Sequence, residues 1–170
     1  MKIAVLGYSG AGKSTLARRL GQAAGCPVLH LDTVQFTPGW VIRDRGEAQR
    51  MVTAFMDSHA SWVIDGNYRG FAQERRLEEA DKIVILDFPR RVCLRQAVSR
   101  YIRWHGRTRE DMAEGCNEKL DWEFIQWILW RGRTRAQRGH LRDIAARYPQ
   151  KTTVARSRAQ AEAFFAQCAR

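Results

Sequence analysis

Short aliphatic runs alternate along the chain with longer stretches in which apolar residues recur at helical spacing. The aliphatic runs occupy residues 2–6, 28–31, 62–64, 82–86 and 151–154. Runs of this length are typical of buried strands, and the stretches between them are typical of amphipathic helices. Because strands and helices alternate, the pattern predicts βα units and one five-stranded parallel sheet.

Several of the helical stretches carry recognisable ends. A helix over residues 13–24 is predicted to stop at Gly25. Asp44 can cap the helix that follows the second strand. Ser157 and Gln160 have the spacing of a capping box and are predicted to begin the last helix.

One polar stretch interrupts the alternation before the last strand. Residues 105–117 contain glycine and show no periodicity, which predicts a loop inserted between two helices. The next helix is expected to open near Glu118 and to continue to about Tyr148, with a kink near Gly132 or Gly139.

The strongest signal for chemistry lies directly after the first strand. Residues 7–14, hereafter the phosphate loop, read GYSGAGKS and match the pattern GxxxxGK[ST]. Glycines let such a loop turn its backbone N–H groups towards phosphates, beside the positive end of the following helix. Lys13 would reach the β- and γ-phosphates of ATP, and the Ser14 hydroxyl would ligate Mg²⁺. The predicted nucleotide-binding residues are Gly7, Ser9, Gly10, Ala11, Gly12, Lys13, Ser14 and Thr15.

Aspartates follow three of the predicted strands. Asp32, Asp65 and Asp87 each come directly after an aliphatic run. The carboxyl ends of parallel strands meet at one ligand crevice, so these side chains are expected near the phosphate loop. One carboxylate there can hold the Mg²⁺ water shell, and another can orient or deprotonate an acceptor hydroxyl. A single Asp before a helix can equally be a cap, and Asp87 is interpreted as structural.

Composition narrows the partners and the compartment. The chain has 170 residues, a formal net charge of +11 and a pI of about 10.3, which indicates one domain over residues 1–170 with polyanionic partners. Its basic residues are mostly arginine, and part of this excess is expected to be solvated surface. No run approaches the roughly 20 apolar residues of a membrane span, and no signal peptide is recognisable. The sequence therefore predicts a cytoplasmic protein without membrane association.

Several segments resemble known nucleotide kinases. Residues 65–69, DGNYR, resemble the D-G-[FY]-P-R segment of nucleoside monophosphate kinases, with Tyr68 in place of the proline. The wider set resembles the DNA topology modulation protein family of adenylate-kinase-related P-loop proteins. This resemblance is carried by residues 7–14, 29–32, 38–40, 62–68, 86–90 and 114–124. It implies a P-loop NTPase fold in three layers, with the phosphate-loop strand central, an acceptor region after the second strand and a short helical lid at about 100–135.

The resemblance also implies roles for individual residues. Arg69 would contact an anionic group of the acceptor, Asp65 would serve the Mg²⁺ side, and Asp32 would orient or deprotonate the acceptor. Arg43, with Arg45 beside it, lies where such kinases hold an acceptor-binding arginine. The T-G-[DE] segment of adenylate kinases is replaced by DTVQ at 32–35, so the resemblance does not imply specificity for AMP.

Arginines surround the predicted lid. Arg103 and Arg135 are expected to stabilise the transferring phosphoryl group, and Arg100 and Arg107 to contact the nucleotide, with Arg131 as a further lid candidate. The sequence thus predicts an ATP- and Mg²⁺-dependent kinase that acts on a small nucleotide-like or hydroxyl acceptor. The alternative is a nucleic-acid-binding ATPase or nucleotide switch, which the basic charge alone supports.

Overall fold

The computed structural model of the protein describes residues 1–104 and 120–169. Its main sheet has five strands in the order β2-β5-β1-β6-β7, and all four pairings are parallel. A second sheet is a short antiparallel pair of β3 with β4. The strands are β1 (Lys2–Gly7), β2 (Val28–His30), β3 (Phe36–Thr37), β4 (Val41–Ile42), β5 (Trp62–Asp65), β6 (Lys82–Leu86) and β7 (Thr152–Ala155). The predicted five-stranded parallel sheet with a central phosphate-loop strand is confirmed.

The helices surround this sheet, and most begin where the sequence predicts them. They are α1 (Lys13–Ala24), α2 (Leu31–Gln35), α3 (Arg45–Ser58), α4 (Gln73–Glu79), α5 (Arg90–Trp104), α6 (Trp122–Leu129), α7 (Arg135–Arg147) and α8 (Arg158–Cys168). Gly25 ends α1 in the left-handed conformation. The side chains of Asp44 and Ser157 cap α3 and α8 by accepting from backbone N–H groups three residues later.

The central strands are buried on both faces. Residues 3–6 of β1 and 83–86 of β6 are at most 1% exposed. Helices on both sides of a parallel sheet require such uninterrupted aliphatic strands, because neither face meets water. Because these strands pair in parallel, the carboxyl ends of β1, β5 and β6 lie at one edge, where the phosphate loop begins.

The segment between α6 and α7 breaks where the sequence predicts a kink. Arg131–Arg133 form a single 3-10 turn, and a capping box of Thr134 with Gln137 starts α7. A Cβ on Gly132 would lie 2.7 Å from the Trp127 carbonyl oxygen, so only glycine fits this close approach. Helix α6 begins at Trp122 with Asp121 as its cap, four residues later than expected. The predicted loop at 105–117 lies outside the described residues.

Three small structural features were not predicted from the sequence. Leu31 is expected to end a strand but instead begins α2, where the Thr33 hydroxyl donates to the His30 carbonyl at 2.7 Å. The strand pair β3–β4 and helix α4 also lack a predicted counterpart. Elements of two to seven residues are shorter than the window in which periodicity can be recognised. Within the described ranges, no helix has the length and apolarity needed to cross a membrane.

Candidate functional site

The phosphate loop lies at the carboxyl end of the central strand and packs against α5. Gly7, Gly10 and Gly12 have φ values of +139°, +77° and +88°, which other residues rarely adopt. A Cβ on Gly10 would lie 2.5 Å from the Cys93 carbonyl oxygen of α5. The glycines are therefore needed both for the turn and for the close approach, and the loop has the conformational freedom that phosphate binding requires.

The carbonyl of Tyr8 organises the inside of the loop. It accepts from the Lys13 amine at 3.1 Å and from the Ala11 N–H at 3.1 Å. Burial lowers the pKa of Lys13, while the carboxylates of Asp32 and Asp65 act in the opposite direction. The hydrogen bond to Tyr8 places the amine inside the loop, and the carboxylates of Asp32 and Asp65 favour its charged form.

Asp65 connects the phosphate loop to the neighbouring strand β2. Its Oδ2 accepts from the Ser14 hydroxyl at 3.0 Å, and its Oδ1 lies 2.5 Å from His30 Nδ1. A hydroxyl beside a carboxylate is the donor set with which proteins hold Mg²⁺ next to substrate phosphates. Ser14 and Asp65 therefore fit the predicted metal role.

Asn67 holds the first residue of the loop from the other side. Its side-chain oxygen accepts from the Gly7 N–H at 3.1 Å, and its amide donates to the Gly7 carbonyl at 2.7 Å. These two hydrogen bonds join the end of β1 to the segment that follows β5. Thr15, the last of the predicted nucleotide-binding residues, is exposed on the first turn of α1.

Asp32 lies on α2 and faces the residues that follow β5. Its Oδ1 accepts from the Tyr68 hydroxyl at 2.6 Å, and the Tyr68 ring stacks on Phe71 with 4.9 Å between ring centroids. Burial raises the pKa of Tyr68, and the charge of Asp32 adds to the effect, so the hydroxyl remains a hydrogen-bond donor. The predicted acceptor carboxylate is thus held in one orientation by an aromatic side chain.

An open cleft of about 430 Å³ begins beside Tyr68. Its lining contains all three arginines that were predicted to bind the acceptor, together with polar and apolar neighbours. The lining residues are Gln35, Ile42, Arg43, Arg45, Tyr68, Arg69, Gly70 and Phe71. The volume suits one small molecule.

The three arginines of the cleft differ in their contacts. Arg43 already donates to the Val34 carbonyl at 2.9 Å and to Glu47 at 2.5 Å, so part of its guanidinium supports the fold. Arg45 and Arg69 are exposed, and the Arg45 guanidinium covers Gly70 so closely that a Cβ there would lie 2.7 Å from its Nε. Arg69 and Arg45 are therefore better placed than Arg43 to bind an anionic group.

A fully buried cation, Arg76, lies beneath this cleft. Its guanidinium donates to the carbonyls of Phe71 and Tyr68, each at 2.8 Å, and more weakly to that of Gly66 at 3.4 Å. Burial lowers the pKa of Arg76 to about 10, and the nearby charge of Asp65 opposes this shift. The sequence analysis did not identify Arg76, because a burial-dependent role has no local sequence signal.

The predicted lid arginines differ in burial and in their contacts. Arg100 is half-buried on α5, 5.8 Å from the Phe124 ring, and its charge adds to the lowering of the Lys13 pKa that burial causes. Arg103 and Arg135 are exposed at the end of α5 and the start of α7. Arg107 lies outside the described residues.

Comparison with known proteins defines the fold. No family model matches the chain, and neither does any curated protein. Among solved structures, the chain is similar to shikimate kinase from Acinetobacter baumannii in complex with shikimate, with a TM-score of 0.54 and 16% identity. The match covers 98% of this chain and 89% of that one. The chain therefore shares the overall fold of this shikimate kinase.

Proposed function

We propose that the protein transfers the γ-phosphoryl group of ATP to a hydroxyl group of a small anionic acceptor. The observation that carries this proposal is the position of Asp32. Its carboxylate is hydrogen-bonded to Tyr68 in the cleft, and its charge reaches Lys13 in the phosphate loop. A carboxylate between a phosphate-binding loop and a second cleft is what transfer to an acceptor requires, whereas a simple nucleotide switch needs no second cleft.

In this proposal each residue acts mainly by position and charge. The backbone of the phosphate loop and Lys13 bind the phosphates, and Ser14 with Asp65 hold Mg²⁺, which neutralises phosphate charge when bound. Arg69 and Arg45 bind the anionic part of the acceptor. Such ordering of two reactants accounts for much of the rate in phosphoryl transfer.

Asp32 would act as the general base that accepts the proton of the acceptor hydroxyl. The acceptor oxygen forms a bond to the γ-phosphorus as the bond to the β-phosphate oxygen breaks, so ADP leaves and the hydroxyl proton passes to Asp32. Because the Tyr68 hydroxyl occupies Oδ1, the second carboxylate oxygen would receive that proton. Arg103 and Arg135 complete the proposal as lid residues, and Arg100 as a nucleotide contact.

We also propose that the chain is a member of the DNA topology modulation protein family. The segments that resemble the DNA topology modulation proteins include the phosphate loop and residues 62–68, which carry Asp65, Asn67 and Tyr68. The hydrogen bonds of these three side chains support the proposal, because each connects the end of β5 or the residues after it to the loop or to Asp32.

The decisive experiment is an acceptor screen with the purified full chain. ADP release from MgATP would be followed with mononucleotides, nucleosides, shikimate-like acids and sugars as candidate acceptors. We expect release that depends on one anionic class of acceptor and is lost in Lys13→Ala. ADP release at the same rate with and without every acceptor would contradict the kinase proposal and favour an ATPase or switch.

A further inference from the structure

Two side chains, one from α6 and one from the turn between α6 and α7, contact the first half of the phosphate loop. The Trp127 indole N–H donates to the Ser9 hydroxyl at 3.0 Å. The Arg133 guanidinium lies over the Tyr8 ring, with 3.8 Å between its central carbon and the ring centroid. Both contacts join residues more than a hundred positions apart in the sequence.

Arg133 is buried and hydrogen-bonded, but none of the ion pairs formed among the described residues includes it. It is 7% exposed, and its Nη2 donates to the Phe88 carbonyl at 2.8 Å and to the Cys93 sulfur at 3.0 Å. In the described part of the chain, no carboxylate forms an ion pair with it and its Nε has no hydrogen-bond partner. A buried cation with incomplete compensation lowers stability. Stability alone therefore gives a poor reason for an arginine at this position.

The contact with Tyr8 explains better why an arginine occupies position 133. A cation over the face of an aromatic ring attracts it, and more strongly when both are shielded from water. The backbone of the same residue accepts hydrogen bonds from Lys13 and Ala11. Whatever fixes the Tyr8 ring therefore also fixes the carbonyl that orients the Lys13 amine.

We propose that Arg133 is a positioning residue for phosphate binding, which holds Tyr8 and through it the amine of Lys13. This inference rests on the proposed function, in which the loop binds the phosphates of ATP. Arg133 itself does not touch the nucleotide in this proposal. It acts through its contact with the Tyr8 ring, and loss of either the ring or the guanidinium should remove that contact.

The test is a double-mutant cycle with MgATP as the probe and the dissociation constant from calorimetry as the readout. Arg133→Met and Tyr8→Ala are each expected to weaken MgATP binding by about tenfold, the scale of a shielded cation–aromatic contact. The double variant should bind no more weakly than the weaker single variant, because both changes remove one contact. Tyr8→Phe keeps the ring, so Arg133→Met should still weaken MgATP binding by about tenfold in that background.

Two controls separate positioning from charge and from folding. Arg147→Met removes one positive charge at the opposite end of α7, about 20 Å away by helix length, and should leave binding unchanged. Arg133→Lys keeps the charge without the planar guanidinium, and it should lose most of the affinity if geometry is what matters. Thermal unfolding of each variant shows whether the fold persists. If Arg133→Met does not fold, the positioning role is judged from Tyr8→Ala and Arg133→Lys. Both variants should then bind MgATP more weakly than the wild type.

The outcomes distinguish this inference from the function on which it rests. If the wild type binds MgATP and Arg133→Met binds equally tightly, the positioning role is refuted and the proposed function stands. Independent, additive losses in the double variant would also refute it, since Arg133 would then act directly on the phosphates. If the wild type binds no MgATP, the proposed function fails and the positioning role fails with it.

Discussion

Replacing Gly10 by alanine tests whether the phosphate loop needs its close approach to α5. The new Cβ would lie 2.5 Å from the carbonyl oxygen of Cys93 and 3.1 Å from its carbonyl carbon. Both are backbone atoms, and the Cys93 N–H is itself bonded to the Pro89 carbonyl at 3.1 Å, so neither side can move alone. Left-handed backbone at alanine costs about 1–2 kcal/mol and overpacking about 1–3 kcal/mol, which gives an expected loss of about 2–5 kcal/mol.

Gly39 provides a matched control. Its φ is also +77°, yet a Cβ there would meet nothing within 4 Å. Gly39→Ala should therefore lose only the backbone cost of about 1–2 kcal/mol. The difference between the two losses of stability isolates the steric cost of the contact between the new Cβ and Cys93.

Denaturant unfolding followed by circular dichroism gives both stabilities, and calorimetry gives the affinity for MgATP. We expect Gly10→Ala to lose stability by the larger amount and to bind MgATP more weakly, while Gly39→Ala keeps the wild-type affinity. Equal losses of stability in the two variants, or unchanged MgATP binding by Gly10→Ala, would refute the argument that the loop is packed tightly against α5.

Three further predictions follow from other parts of the structure. Gly139→Ala, inside α7 with open space around it, should stabilise the protein by about 0.5–1 kcal/mol in denaturant unfolding. Arg103→Ala and Arg135→Ala should each lower turnover about tenfold and leave duplex DNA binding unchanged; a flattened salt dependence of DNA binding with unchanged turnover would favour the nucleic-acid alternative. The raised pKa of Tyr68 means that its stabilising contribution is complete below the ordinary value of 10.0 and declines above it. Tyr68→Phe should therefore show a shallower loss of stability between pH 9 and 11, and identical slopes would contradict that shift.

The parts of the fold that depend on local pattern could be predicted from the sequence. The five strands of the main sheet, the cap at Asp44 and the break near Gly132 follow from hydrophobic runs, capping chemistry and glycine. The pairing of Ser14 with Asp65 was also within reach, because the carboxyl ends of neighbouring parallel strands must meet.

The parts that depend on burial could not be predicted. Among many arginines, only the folded chain distinguishes Arg76 and Arg133, which are buried, from Arg103 and Arg135, which are exposed. All four have the same side chain and no neighbouring motif that separates them. His30 escaped for a similar reason, since its contact with Asp65 depends on the register of two strands 35 residues apart.

The central position of β1 has a consequence for how the protein is made. Among the described residues, β1 pairs with β5 and β6, and these two neighbours are synthesised some 60 to 80 residues after it. Until then its apolar residues have no sheet to join, and the closure of such distant pairings is slow. The candidate nucleotide site can therefore assemble only after residue 86 has emerged. Under the proposed function, a nascent chain truncated before that point should not be retained by immobilised ATP.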